Sequence, residues 1–147
     1  MPIPWLAHRA PFRLAVLLAV AFTAFTACSS DDSNAPAPVP GSALRASWNV
    51  TSFATAADDF IAQGMVLVIT FKSDGTYALT VTNDLVGICN PGPNCVEGGD
   101  YTATATTVTL DPGTVDEVVF DYTIAGTTLT MNGDIGGTPV TITATKT

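Results

Sequence analysis

Residues 118–131, VVFDYTIAGTTLTM, decide the fold expected for this chain. Apolar and polar residues alternate on both sides of Ala125 and Gly126. Alternation with a period of two is typical of half-buried antiparallel strands, and threonine fills most of the positions on the solvent face here. The Ala-Gly pair between the two runs indicates a tight hairpin. The stretch therefore predicts two antiparallel strands with one shared apolar face.

A second copy of this pattern precedes it. DYTATATTVTL at residues 100–110 aligns with DYTIAGTTLTM at residues 121–131, with six of eleven positions identical. Threonine bias accounts for part of the match. The shared Asp-Tyr pair and the same phase of the hairpin suggest two equivalent units of a β-meander.

The rest of the chain after residue 42 follows the same rule. Eight strands are predicted, at residues 46–53, 65–71, 76–83, 99–105, 107–110, 118–124, 127–131 and 139–146. Short connections and one long crossing after the first strand favour an all-β, antiparallel up-and-down barrel of about eight strands.

One segment, TAADDFIAQG at residues 55–64, interrupts the strand pattern. Thr55 lies three residues before Asp58, as in a weak capping box, and Gly64 can end a helix. We therefore predict one short helix between the first two strands, lying across the sheet.

The first 42 residues have a different character. Arg9 and Arg13 precede an uncharged run at residues 14–25, which is shorter than the ~20 residues of a membrane span and is typical of a secretory signal peptide. Residues 29–42, SSDDSNAPAPVPGS, are rich in proline and serine and predict a disordered linker. The predicted organisation is a signal peptide at 1–27, a lipidated cysteine with a flexible linker at 28–42, and a barrel domain at 43–147.

The end of the signal peptide, FTAC, resembles the lipobox of bacterial lipoproteins, with Phe25 in the place of the usual leucine. The resemblance implies that Cys28 receives acyl chains, palmitate among them, and anchors the mature protein in a membrane. Ser29, rather than aspartate, suggests the outer membrane of the cell envelope, at its periplasmic face or at the cell surface. The alternative is an ordinary signal peptide followed by a free Cys28 thiol.

Charge and histidine content exclude several functions. After removal of the signal peptide, three basic residues face thirteen acidic ones, a net charge of minus ten, so we expect no nucleic-acid partner. His8, the only histidine, lies in the signal peptide, so the mature protein has no imidazole for acid-base catalysis or metal binding. We therefore expect no enzyme activity, no catalytic residue, no metal and no cofactor. Four acidic residues could coordinate Ca²⁺ through oxygen, but their spacing matches no known calcium loop; they are Asp111, Asp116, Glu117 and Asp134.

Two cysteines remain, Cys89 and Cys95, in CNPGPNC. Outside the cytoplasm, close cysteines normally pair, and the Pro-Gly-Pro turn between them brings the ends together. A zinc site would need two more soft ligands, and a redox pair would usually be CxxC. The spacing therefore predicts a structural disulfide.

Four motifs carry a further resemblance: LRASW at 44–48, TFKSDGTY at 70–77, GDYTATATTVTL at 99–110 and DYTIAGTTLTM at 121–131. With them, residues 44–147 resemble the lipocalin-like domain of bacterial lipoproteins, in the wider calycin group. That group commonly opens with Gly-x-Trp, whereas Ala46 precedes Trp48 here. The resemblance implies a barrel that binds a small apolar ligand.

An eight-stranded barrel is either packed solid or wide enough for one small ligand. The candidate ligand-lining residues are Trp48, Leu67, Ile69, Phe71, Tyr77, Leu79, Tyr101, Phe120, Tyr122 and Met131. The alternative is that these residues pack a solid core, and that the protein is a non-catalytic structural or protein-interaction module of the envelope.

Overall fold

The computed structural model describes residues 39–147, which form an all-β domain. The predicted signal peptide, Cys28 and the linker up to residue 38 lie outside the described residues. No helix within residues 39–147 is long and apolar enough to cross a membrane.

A 3₁₀ turn at Ser42–Leu44 precedes eight strands. The strands are β1 (Ser47–Ala54), β2 (Val66–Phe71), β3 (Thr76–Thr82), β4 (Cys95–Ala103), β5 (Thr107–Leu110), β6 (Val118–Ala125), β7 (Thr128–Ile135) and β8 (Thr138–Lys146). Each strand pairs antiparallel with the next, and β1 also pairs with β8, which closes the barrel in sequence order. The prediction of an antiparallel up-and-down barrel of eight strands is confirmed.

The period-two pattern of the sequence sets the two faces of the wall. On β6, Phe120 and Tyr122 are buried inside the barrel, whereas Asp121 and Thr123 are exposed outside it. The same alternation along β7 and β8 places aliphatic side chains and Met131 inside and mostly threonines outside. Because every strand has two neighbours, closure leaves no edge strand to pair with another chain.

The helix predicted over residues 55–64 does not form, and the segment makes turns instead. Asp59 takes the N-cap role, because its carboxylate accepts the backbone N–H groups of Ile61 and Ala62. Gly64, at a φ of 101°, already ends the turn: its N–H bonds to the carbonyl of Ile61, and the next N–H bonds to that of Phe60. The two end signals are therefore only one turn apart, which leaves no room for a helix.

Two strands are longer than the sequence pattern predicts. β4 begins at Cys95 rather than near residue 99, and β7 runs on to Ile135, so the final hairpin turns only at Gly136 and Gly137. At Gly133, a Cβ atom would lie 2.6 Å from the Phe120 ring. This glycine serves close packing inside the barrel, not a change of chain direction.

The topology gives the barrel two different ends. The open end carries the four connections that follow the odd-numbered strands, at residues 55–65, 83–94, 111–117 and 136–137. The closed end carries the three remaining turns, at residues 72–75, 104–106 and 126–127, together with the start of β1 and the end of β8. The two longest connections, at residues 55–65 and 83–94, both lie at the open end.

Candidate functional site

A cavity of about 570 Å³ lies inside the barrel and reaches the open end. Its wall is mainly aliphatic and aromatic, and its rim includes loop residues such as Leu85 and Val86, which are partly exposed to solvent. Ligand pockets in proteins usually measure roughly 300–1,000 Å³ and are lined mostly by apolar side chains. The barrel therefore has an interior space of the size and polarity of a small-molecule site.

Seven of the ten candidate lining residues surround this cavity. They are Leu67, Ile69, Phe71, Tyr77, Leu79, Phe120 and Met131. Six of these seven side chains are buried, whereas Leu79 is only half-buried. The structure thus brings together side chains from β2, β3, β6 and β7 around one space.

The other three candidates form the closed end of the barrel. Each directs its polar atom to a backbone carbonyl there: Trp48 Nε1 to Leu44 at 2.7 Å, Tyr101 Oη to Lys72 at 2.8 Å, and Tyr122 Oη to Thr104 at 2.9 Å. We call Trp48, Tyr101 and Tyr122 the aromatic plug. Since all three polar groups bond to the chain itself, the plug seals this end and is not part of the cavity lining.

The floor of the cavity joins the plug through one aromatic pair. The rings of Phe71, which lines the cavity, and Tyr101, which belongs to the plug, meet edge to face with centroids 5.0 Å apart. Such an arrangement is the favoured geometry for two aromatic rings. The cavity therefore rests on a fixed floor rather than passing through the barrel.

The 55–64 loop covers part of the open end. Phe60 of this loop packs edge to face on Phe53 of β1 at 5.4 Å, and both rings line the cavity. Asp59 ties the loop to β1, because its carboxylate accepts hydrogen bonds from the Ser52 hydroxyl at 2.7 Å and from the Phe53 N–H at 3.3 Å. The Ser52 bond contributes most to holding the pKa of Asp59 below its ordinary value, against the opposing effect of partial burial.

The second covering loop, residues 83–94, is cross-linked. The Cys89–Cys95 disulfide forms, with the Cα atoms 5.5 Å apart, as the spacing predicted. Partial burial acts to raise the pKa of Asp84, but backbone N–H groups, that of Cys89 first, lower it overall. The loop is thus held in one shape, and residues 85–88 from it line the cavity.

One polar pair interrupts the apolar wall. The Tyr77 hydroxyl donates a 2.6 Å hydrogen bond to Oδ2 of Asp111, and both residues line the cavity. Burial first, and then the bond to Asp111, raises the pKa of Tyr77 above its ordinary value of 10.0. Tyr77 therefore remains a neutral hydrogen-bond donor at every physiological pH.

Gly99 makes room for this pair. A Cβ atom at Gly99 would lie 1.8 Å from Oδ1 of Asp111 and 3.2 Å from the Tyr77 ring. Asp111 itself adopts a φ of 49°, a left-handed conformation that aspartate tolerates better than most residues. A missing side chain and an unusual backbone together direct the Asp111 carboxylate toward the cavity wall.

Several lining residues are absent from the sequence-based candidates. They are Phe53, Phe60, Ile88, Leu110, Asp111, Asp116, Val118, Val140 and Ile142, among others. Val118, Val140 and Ile142 carry the same alternating signal as the candidates, so the sequence could have identified them. The loop residues carry no such signal, because only closure of the barrel places them over its opening.

The acidic side chains of the domain do not form a metal site. Within residues 39–147, no group of three or more His, Cys, Asp or Glu side chains is close enough to hold a metal ion. Asp111 and Asp116 are the only two of the four acids weighed as calcium ligands that reach the cavity. The charged residues that line the cavity are therefore two aspartates, beside the hydroxyl groups of Thr55, Tyr77 and Thr138.

No protein-family model matches the sequence, and no curated protein matches it significantly. The fold and the cavity are therefore the basis of the functional argument.

Proposed function

We propose that this protein is a lipid-anchored lipoprotein of the cell envelope whose lipocalin-like barrel binds a small apolar ligand. The observation that carries the binding part is the apolar cavity of about 570 Å³, closed at one end by the aromatic plug and covered by two braced loops at the other. This arrangement favours a binding module over the solid-cored alternative.

The anchoring part rests on the FTAC motif and on the disulfide. Acylation of Cys28 would place the protein in the outer membrane, with the linker as a spacer of up to roughly 40 Å at ~3.1 Å per residue. The Cys89–Cys95 bond supports an oxidising compartment, because disulfides are rare in the cytosol and common outside it.

Binding is tested with N-phenyl-1-naphthylamine, a neutral apolar probe that fluoresces in apolar surroundings. The Cys28→Ala protein, which on this proposal carries no acyl chains and needs no detergent, is expected to bind the probe at about one site. Native mass spectrometry of the same material identifies any ligand retained from the cell. Fluorescence of Trp48 is only an indirect readout, because this residue lies in the plug.

Matched variants locate the probe. Leu79→Trp adds an indole to a half-buried position of the cavity wall and should weaken probe binding at least tenfold. Val119→Trp places the same side chain on the outer face of β6, at a residue 49% exposed, and should leave binding unchanged. Equal effects of the two variants would show that the probe binds elsewhere.

Anchoring is tested by growth with labelled palmitate, followed by separation of inner and outer membranes. The unaltered protein is expected to carry label and to sediment with the outer membrane, and Cys28→Ala is expected to lose both properties. Label retained by Cys28→Ala would refute acylation at this position without affecting the binding proposal.

A further inference from the structure

We propose that the cavity selects an apolar ligand carrying a cationic group, such as a protonated amine, and that the Asp111 carboxylate binds that group. This inference rests on the proposed function of the cavity as a ligand site and names the chemical class of the ligand.

Charge is unevenly distributed along the barrel axis. Arg45, Lys72 and Lys146 all lie at the closed end, before β1, after β2 and at the end of β8. The open-end loops carry six acidic residues and no basic one; these are Asp58, Asp59, Asp84, Asp111, Asp116 and Glu117. A cavity whose entrance carries one sign of charge raises the local concentration of ligands of opposite charge and repels those of the same charge.

The Asp111 carboxylate is held in one position at the cavity wall. Oδ2 of Asp111 is bound to the Tyr77 hydroxyl, and Oδ1 lies against Gly99, in space that any larger residue would fill. Oδ1 accepts no hydrogen bond from the described part of the chain. An ionised carboxylate accepts hydrogen bonds and donates none, so an ammonium group is its strongest partner among common ligand groups.

The rest of the cavity differs in polarity from the wall at Asp111. The surrounding wall is apolar and comes from Phe71, Leu110 and Val118 among others. An alkyl or aryl body in the cavity and an amine at Asp111 would satisfy both surfaces at once. A fatty acid would bring its carboxylate toward Asp111 and Asp116 and is therefore disfavoured.

The test compares three ligands that share one chain: n-decylamine, n-decanol and n-decanoate. Each is titrated at pH 7.5, below its micellar concentration, against Cys28→Ala protein loaded with N-phenyl-1-naphthylamine. The amine is protonated at this pH. We expect decylamine to displace the probe with a Kd at least tenfold lower than that of decanol, and decanoate to have the highest Kd of the three.

Asp111→Asn identifies the residue responsible. Asparagine also tolerates a positive φ and still accepts the Tyr77 hydroxyl, so the fold is retained. This variant should lose about tenfold in decylamine affinity and bind decanol as before. Asp121→Asn removes the same charge from the outer face of β6 and should keep the preference for the amine.

The possible results separate the two proposals. If no ligand and no probe binds, the proposed function fails, and the inference fails with it. If all three ligands displace the probe equally well, the cavity binds apolar ligands and the inference alone is refuted. A preference for the amine that Asp111→Asn leaves intact, or that Asp121→Asn lowers equally, would refute the assignment to Asp111.

Discussion

Gly99→Ala should destabilise the barrel through a side chain that is distant in sequence. The new methyl group would lie 1.8 Å from Oδ1 of Asp111, so the carboxylate must move and the 2.6 Å bond from Tyr77 must break. A hydrogen bond to a charged group contributes about 1.5–3 kcal/mol. Alanine gains about 0.4–1 kcal/mol from its smaller entropy in the unfolded chain. The expected net loss is about 1.5 kcal/mol, or about 7 °C in Tm for a domain of this size.

The mechanism is tested by a double-mutant cycle with Tyr77→Phe, which removes the same bond from its other end. If Gly99→Ala acts by displacing Asp111, its cost in the Tyr77→Phe background should be smaller by about 1–2 kcal/mol. Tyr122→Phe is the matched control, because Tyr122 donates a comparable bond to the Thr104 carbonyl at the closed end. The changes in free energy of unfolding caused by Gly99→Ala and Tyr122→Phe should be additive within about 0.5 kcal/mol.

The assay is urea unfolding followed by the fluorescence of Trp48, which is fully buried in the folded barrel. Midpoints and slopes are compared for the parent, the three single variants and the two double variants. If the losses in free energy of unfolding caused by Gly99→Ala and Tyr77→Phe are additive, as those of Gly99→Ala and Tyr122→Phe should be, then Gly99→Ala does not act by displacing Asp111 from Tyr77.

Three further predictions concern pH and the loops of the open end. The folded barrel raises the pKa of Tyr77 above 10.0, so the stability that Tyr77 contributes is complete below pH 10 and is lost at higher pH, because the unfolded chain then releases a proton that the folded chain keeps. Tyr77→Phe should therefore flatten the fall of the urea midpoint at alkaline pH, and an unchanged pH profile would contradict this. Asp59→Ala removes the cap of the 55–64 loop and should cost about 1 kcal/mol at neutral pH. Since the pKa of Asp59 is lowered, that difference should shrink as the pH falls below 3.8, and a difference that persists in acid would assign the effect to packing. Cys89→Ser with Cys95→Ser should lower the free energy of unfolding by about 2 kcal/mol and weaken probe binding, because the loop that carries residues 85–88 is released. Dithiothreitol should reproduce both effects in the parent and have none in the double variant; persistence of tight probe binding in the reduced parent would show that the loop does not shape the site.

Much of the wall was predictable from the sequence, because a strand has a local signature. Alternation along residues 118–131 identifies the inward face of β6 and β7 without knowledge of any neighbour. Alternation identifies the side chains that point into the barrel, and the cavity lies inside the barrel. For this reason seven of the ten candidates line the cavity. The disulfide was predictable too, since its cysteines are only six residues apart.

The errors come from residues whose role depends on contacts with other strands. The strands predicted at residues 99–105 and 127–131 are too short, because Gly98 and Gly133 lie within β4 and β7, where a Cβ atom would clash with a neighbouring strand. The predicted helix at 55–64 failed because Asp59 and Gly64 cap the same single turn. Trp48, Tyr101 and Tyr122 differ from the cavity residues only in their height along the barrel axis, which no local pattern contains.

The sequence by itself therefore determined the up-and-down strand order, the inward face of the strands and the disulfide. These features depend on composition or on residues close together in the chain. Only the tertiary structure decided which end of the barrel is open, which aromatics seal the other end, and that Gly99 admits the Asp111 carboxylate to the bond with Tyr77. Those features arise from side chains on different strands and loops, 34 residues apart for Tyr77 and Asp111, which barrel closure alone brings into contact.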